Sequence, residues 1–434
     1  MRPGSPTALC GLDRRENAIM HGSSLPPDAV KHQELSQRPL RLVVGCDLGA
    51  PSELLRDALS IGMALTIRGH QAIYLVGDPI ALVDQAGSSI TSGLRQAPAM
   101  RAVPHLVMKR PPIDGFADRL AVMGFDDKET LITLASIWNA ELASIQPDAI
   151  IGIGTPILWL VGPAHAPTFA VGNGSVLAPA LGNSFPRLTA NSTPLADDSV
   201  MLDNANAVLS RMGQPSLATL GELVTECRPI LYGLPAFDPY QLLRSNRTTG
   251  LLGTTPCPSP PPERERLAAF LDVNCPNIEM LILALAGLGH DVPLDICITS
   301  ATAGMRRFLQ QQPHVTLWPN YASLMDRVEG ASALMHHGAQ DVTQQCLVHG
   351  RPQLIIPWTA EQEMLNYMVG WMGMTWSKPP TISIDEMVAT LQDLLRDTSL
   401  SVSAQHHSRQ LSKTDIGDSL PAMIEQIERV RELV

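Results

Sequence analysis

The sequence predicts an α/β protein made of two Rossmann-like αβα units with parallel sheets. Three observations carry this. Short apolar runs alternate with helical stretches along residues 40–76 and again from 267 onward. A strand, helix and strand in so short a span form a βαβ unit, which implies parallel pairing and right-handed crossovers. A Pro-rich break at 245–265 separates the two series, and 434 residues exceed one typical domain.

Taken in order, residues 1–38 are rich in Pro, Ser, Gly and charge and lack periodicity, so a disordered lead-in is expected. The first unit should occupy 39–244. Its first strand is the apolar run Leu40–Gly45. A helix follows through Leu55, Leu59, Ile61, Met63 and Leu65, stopped by Gly69, and Ala72–Val76 is the second strand. Helical residues 129–145 lead to the buried strand Ala149–Ile153, and Thr168–Val171 is a further strand. The polar stretch 183–200 reads as a long loop over a cleft, followed by helices at 201–211 and 216–226.

The run Pro260-Pro261-Pro262 lies in the expected linker, 245–265. The second unit, 266–383, reads as strand 267–273, helix 277–288, strand 293–299, helix 302–311, strand 314–318 and strand 332–335. Helices at about 384–396 and 417–433 close the chain within 384–434.

Composition excludes several classes. Hydrophobic residues make up 45% and charged residues 17%, a balance that can bury a sizeable core. The net charge is -11 without a basic cluster, which argues against nucleic acid as partner. No run approaches the ~18 consecutive apolar residues of a membrane span. Arg14 and Arg15 are not followed by the apolar region of a secretory signal, so Asn-x-Ser/Thr at Asn173, Asn191 and Asn246 reads as chance. Seven scattered cysteines form no CxxC pair, as for thiols in a reducing cytoplasm. His336-His337 has no third ligand nearby, so no metal site is expected.

Residues 337–367 are the most informative stretch. The run Ala333-Leu334-Met335 empties into His337-Gly338, and a helix follows. Then come Gly350-Arg351-Pro352, the buried run Leu354-Ile355-Ile356-Pro357, and Glu361-Gln362. Helix N-termini bind anions because their first N–H groups lack partners and the dipole is positive there. A carboxylate beside an amide suits a polyol, since one accepts and the other both donates and accepts. The layout suits a ligand carrying phosphate and sugar together; the alternative for Glu361-Gln362 is a solvated helix start.

This order resembles the donor-site signature of GT-B glycosyltransferases of family 1: His-Gly-Gly-x-Gly-Thr, a helix, Gly-x-Pro, a hydrophobic strand, Pro, Asp/Glu-Gln and an Asn. The chain supplies His337, Gly338, Gly350, Pro352, Pro357, Glu361, Gln362 and Asn366 at matching spacing. Ala339, Asp341 and Val342 stand where the signature has Gly, Gly and Thr. The resemblance implies the GT-B fold, two Rossmann-like αβα domains with parallel sheets facing across a cleft, over roughly residues 40–400. It also implies that part of the final helices crosses back to the N-terminal domain.

As to activity, it implies an inverting, metal-independent hexosyltransferase. The co-substrate would be a UDP- or TDP-linked sugar, the acceptor small and partly apolar, with no further cofactor. The donor would meet His337, Gly338, Gln340, Asp341, Val342 and Thr343 at its phosphates. Glu361 and Gln362 would meet the sugar, and Trp318 and Asn320 would lie near the base. Asp341 either repels a diphosphate or caps its own helix; Trp318 either stacks on the base or packs at an interface. Gly172-Asn173-Gly174-Ser175 is an acceptor-side loop, through Asn173 and Ser175, or a plain connection.

Relatives carry a His after the first strand and an Asp that orients it. Counting back from Gly69-His70 puts Leu54 at the His position, and Ile153 falls at the Asp, although 47–56 resembles that loop in a bacterial branch of the family. Glu53 or Asp47 remains as base, if desolvation raises a carboxylate pKa, with an exposed helix-start residue as the alternative for Glu53. Alternatives to transfer are a binding or scaffold protein that kept the fold, or a different activity in the same cleft.

Overall fold

A computed structural model describes residues 38–432, apart from 48–51, 87–89, 91–92, 99–112, 183, 190–191, 246–247, 255 and 321–323. The disordered lead-in expected over 1–38 lies outside the described residues save Arg38. The described residues from Pro39 onward form one compact unit.

Its first sheet has six parallel strands: β1 (Arg41–Cys46), β2 (Gln71–Val76), β3 (Leu94–Gln96), β4 (Ala149–Ile153), β5 (Thr168–Gly172) and β6 (Arg228–Leu231), in the order β3-β2-β1-β4-β5-β6. The central strands β4 and β5 are buried at every residue, the pattern of strands covered on both faces. The covering helices are α1 (Ser52–Ile67), α2 (Pro79–Ala86), α3 (Phe116–Leu120), α4 (Lys128–Ile145), α5 (Pro156–Val161), α6 (Asp198–Arg211) and α7 (Glu222–Thr225).

The second sheet repeats the plan. Its strands are β7 (Leu267–Asp272), β8 (Leu294–Thr299), β9 (Val315–Leu317), β10 (Ala333–His336), β11 (Gln353–Ile355) and β12 (Thr375–Ser377), in the order β12-β11-β10-β7-β8-β9, all parallel. Around it lie α8 (Ile278–Ala286), α9 (Ala303–Gln310), α10 (Gln340–His349), α11 (Ala360–Gly370), α12 (Ile384–Arg396) and α13 (Thr398–Leu411), and α14 (Leu420–Glu428) is followed by a 3-10 turn at Arg429–Glu432. Both sheets therefore reverse strand order between their first and fourth strands. In open α/β sheets the ligand crevice opens beyond the carboxyl ends at that point.

The final helix belongs to the first sheet's core: Met423, Ile424 and Ile427 pack with Leu54, Leu55 and Leu59 of α1. His70 Nε2 lies 2.9 Å from Glu428 Oε1. The Pro-rich segment is not a free strap. Arg351, 1% exposed, donates to Ser259 O and Oγ at 3.2 and 2.9 Å and to Pro260 O at 2.8 Å, and Gln405 Nε2 adds a bond to Ser259 O.

Some elements differ from expectation. The helix expected at 216–226 is only Glu222–Thr225. Asn206 exchanges two side-chain bonds with Leu217, and the Glu222 carboxylate accepts the Ala218 N–H, holding the preceding residues in turns. The short edge strands β3, β6 and β12 and the helix α13 carried no signal. Pro229 sits in β6, where an edge position tolerates a missing donor. The loop at 183–200 ends where α6 starts, at Asp198, and is clipped to α3: Asp114 accepts from Thr189 N and Oγ1, and Asp118 from Arg187 and Leu195 N.

Candidate functional site

β10 delivers two histidines with opposite roles. His336 is fully buried; its Nδ1 accepts the Gly338 N–H at 3.1 Å and its Nε2 meets Gln353 Oε1 at 2.8 Å. Nδ1 as acceptor leaves the proton on Nε2, which donates to the amide oxygen. Burial pushes this imidazole down to about 3, so it stays neutral and pins the turn. His337 points the other way and lines a cleft, its ring centroid 5.2 Å from that of Phe270. Its Nδ1 is buried without a protein partner. Burial lowers its pKa, while the Asp272 carboxylate at the end of β7 pulls upward.

Gly338 is required by geometry. Its φ is +94°, and an added Cβ would sit 3.1 Å from Gln362 Cβ, so the turn and the start of α11 approach too closely for a side chain. Behind it α10 begins with Ala339 as an N-cap that makes no side-chain bond. The Asp341 carboxylate accepts the Val342 N–H at 2.8 Å. The Val342 side chain is fully buried in the core, and Thr343, equally buried, donates its hydroxyl back to Ala339 O at 2.9 Å. Of this turn, Gly338, Ala339 and Gln340 line the cleft. Gly350 closes α10 with φ +67°.

α11 begins with a capping box: Thr359 Oγ1 accepts the Gln362 N–H, and Gln362 Oε1 accepts the N–H groups of Trp358 and Thr359 at 2.9 and 3.2 Å. The amide oxygen of Gln362 is thus engaged in the helix start. Glu361 reaches across the cleft to Arg119 of α3 and forms an ion pair with it. Trp318 and Asn320 follow the edge strand β9 and are not among the residues that line this cleft. The indole donates to Asp295 Oδ1 at 2.9 Å, and the Arg327 guanidinium covers its ring at 4.5 Å.

From the first sheet come Asn173 and Ser175, after β5. Asn173 Oδ1 accepts from Ser175 N and Val176 N at 3.1 and 3.0 Å, fixing the loop. Leu54, at the position of the missing His, lines the same cleft. Asp47 follows β1, 5% exposed, with Oδ1 lacking a partner; burial pushes its carboxyl up to about 8. It does not itself line the cleft cavity. Glu53 lies in the first turn of α1, and its side chain lies outside the described residues.

Together these walls enclose about 280 Å³, with Arg119, Asp272, His337 and Glu361 as the titratable groups among the described lining residues. A groove of about 330 Å³ between α4 and α6 is larger, but it lies on a helical face and holds none of these groups. Beside the cleft, Asp341 and Gln344 of α10 face Asp57 of α1 and Tyr232 after β6. Burial raises Asp57 to about 7, against the Tyr232 hydroxyl that donates to it, and Asp341 raises it further. The sequence reading missed Arg119, Asp272, Asp57 and Tyr232. None belongs to a motif; the chain path brings Arg119 and Asp272 to the cleft and Asp57 and Tyr232 to the pocket beside it. Among the described residues no cluster of three His, Cys, Asp or Glu is placed to hold a metal, and no helix is long and apolar enough to cross a membrane.

No protein-family model and no curated protein matches this sequence. Solved structures do match in fold. The calicheamicin glycosyltransferase CalG4 aligns with TM-score 0.62 at 14% identity, over 92% of this chain and 100% of its own. The glycosyltransferase VinC in complex with dTDP aligns at 0.58 and 15%, over 91% and 100%. The spinosyn rhamnosyltransferase SpnG, complexed with spinosyn aglycone, aligns at 0.59 and 13%, over 90% and 100%. With its two parallel six-stranded sheets facing one cleft, this chain has the GT-B fold and resembles, in architecture, the family 1 glycosyltransferases.

Proposed function

We propose that the protein transfers a hexose from a nucleotide diphosphate sugar to a hydroxyl of a small, partly apolar acceptor. One observation carries this reading: a single cleft at the carboxyl ends of both sheets joins His337-Gly338 and Glu361 on one wall to Asn173, Ser175 and Leu54 on the other. The solved neighbours include one complexed with dTDP and one with an aglycone, which supports a donor and an acceptor sharing that cleft. The division at 245–265 into acceptor-side and donor-side domains, and a cytoplasmic location, belong to the same proposal.

Transfer would be inverting and metal-independent. The acceptor oxygen attacks the anomeric carbon from the face opposite the diphosphate. The carbon–oxygen bond to phosphate breaks, and the acceptor proton passes to a carboxylate, Asp47 or Glu53. His337, neutral at pH 7, would donate a hydrogen bond toward the leaving diphosphate, and Glu361 would accept from sugar hydroxyls once free of Arg119. A base whose pKa is about 8 is ionised in a minority of molecules at pH 7, so a rate dependent on Asp47 climbs with pH toward that value.

Calorimetric titration with UDP and with TDP tests the reading, with Gln362→Ala alongside; no heat with either nucleotide would sink it. Rates unchanged in both Asp47→Asn and Glu53→Gln would remove the carboxylate base. A second reading, a binding protein that kept the fold without transfer, is favoured by one observation. The Asp341 carboxylate takes an N–H group of its own helix, at the turn where a phosphate would sit. Nucleotide binding with neither transfer nor sugar-nucleotide hydrolysis would select that reading.

A further inference from the structure

The charge lining the cleft sets a condition on any diphosphate ligand. Asp272 and Glu361 are carboxylates, His337 is held neutral by burial, and Arg119 is the cation among the described lining residues. Arg119 is already paired with Glu361. A nucleoside diphosphate would therefore enter a site whose described lining charges sum to negative, beside a helix start at which Asp341 has taken an N–H group. The only described cation on the wall becomes available by leaving its carboxylate.

We infer that Arg119 is the diphosphate-binding side chain of this cleft and that Glu361 holds it until the donor arrives. Phosphate oxygens then take the guanidinium, and the released carboxylate turns to the sugar hydroxyls. The assignment rests on the donor reading above and names a residue which that reading does not supply.

Both ends of the pair are built to hold position. α3 is anchored one residue before Arg119, where Asp118 accepts from both terminal guanidinium nitrogens of Arg187 at 3.2 and 2.8 Å and from the Leu195 N–H at 2.9 Å. Phe116 of the same helix packs on Trp159 and Phe185. Opposite, the Thr359–Gln362 capping box sets the first turn of α11, from which Glu361 projects. Arg119 and Glu361 side chains are 12% and 29% exposed, so each needs a partner, yet water reaches both and the exchange is open to a ligand. A planar guanidinium suits the change because carboxylate and phosphate both accept its paired N–H groups.

The test uses the full chain, with UDP and uridine as probes and UDP-glucose as the sugar-bearing comparison. Arg119→Met should weaken UDP binding by about tenfold or more and leave uridine unchanged, since a charged hydrogen bond of this kind exceeds one decade in affinity. Glu361→Gln should tighten UDP, because the guanidinium no longer has a competing carboxylate, and should lower the ratio of UDP-glucose to UDP affinity. Arg119→Lys keeps the charge without the fork and should fall between; it also serves if Arg119→Met melts early. Wild-type binding of UDP that Arg119→Met and Arg119→Lys leave undisturbed overturns the assignment alone. No nucleotide binding by the wild type removes the donor reading and the assignment with it. UDP binding weakened by Glu361→Gln would show that the carboxylate supports the ligand rather than competing with it, and would also overturn the exchange.

Discussion

Replacing Asp47 by Asn should stabilise the protein, and increasingly so as pH rises. The Asp47 carboxyl is 5% exposed, its Oδ1 has no partner, and burial lifts its pKa from 3.8 to about 8. The sign follows from where protons sit. Between those two values the unfolded chain is ionised while the folded chain still holds its proton. Stability from this group is whole below the unfolded pKa and is lost as pH rises through the folded one. Each tenfold fall in proton concentration across that window costs about 1.4 kcal/mol, so the loss between pH 5 and pH 8 is at most about 4 kcal/mol.

Asn keeps the shape and cannot ionise, so it escapes that loss. Urea unfolding of wild type and Asp47→Asn at pH 5, 6, 7 and 8, with m-values compared, reads the difference directly. The gap between the two proteins should widen across the series by a few kcal/mol. A gap that stays constant would refute the buried, proton-holding state of Asp47 and with it the pH-dependent base. If the same variant gains stability and loses transfer, the buried carboxylate is retained for chemistry, as is common where burial shifts a pKa in a site.

Two further outcomes follow from the fold. Gly338→Ala places a side chain at φ +94° against Gln362 and should destabilise by roughly 1–3 kcal/mol, lowering the thermal midpoint and loosening the α11 start; an unchanged midpoint would mean that the turn relaxes without effect. Arg351→Ala strips the buried guanidinium from Ser259, Pro260 and Glu329 and should destabilise by about 3 kcal/mol or more, with faster proteolysis near 259; protease resistance equal to wild type would refute its anchoring role.

Much of this was legible along the chain. The long central strands and the helix–strand alternation carry strong periodicity, so β1, β4, β7 and β10 and the doubly wound class follow from sequence alone. The turn His337-Gly338 and the pair Glu361-Gln362 are local, because a glycine that tight backbone demands and a helix start can be read from neighbours a few residues apart. Edge strands β3, β6 and β12 were silent, since three or four half-exposed residues leave little pattern.

Local patterning was therefore enough for the repeated αβα plan and for the residues at one wall of the cleft. What those residues meet was settled by packing. Arg119 lies 242 positions from Glu361 and Asp57 lies opposite Asp341, both brought there where the two αβα units meet, and Asp272 reaches His337 through the pairing of β7 with β10. Whether Gln362 faces a sugar or caps its own helix, and whether Asp47 holds a proton, depends on desolvation and on partners distant in sequence. Burial is a property of the packed chain, so no reading of neighbouring residues could supply it.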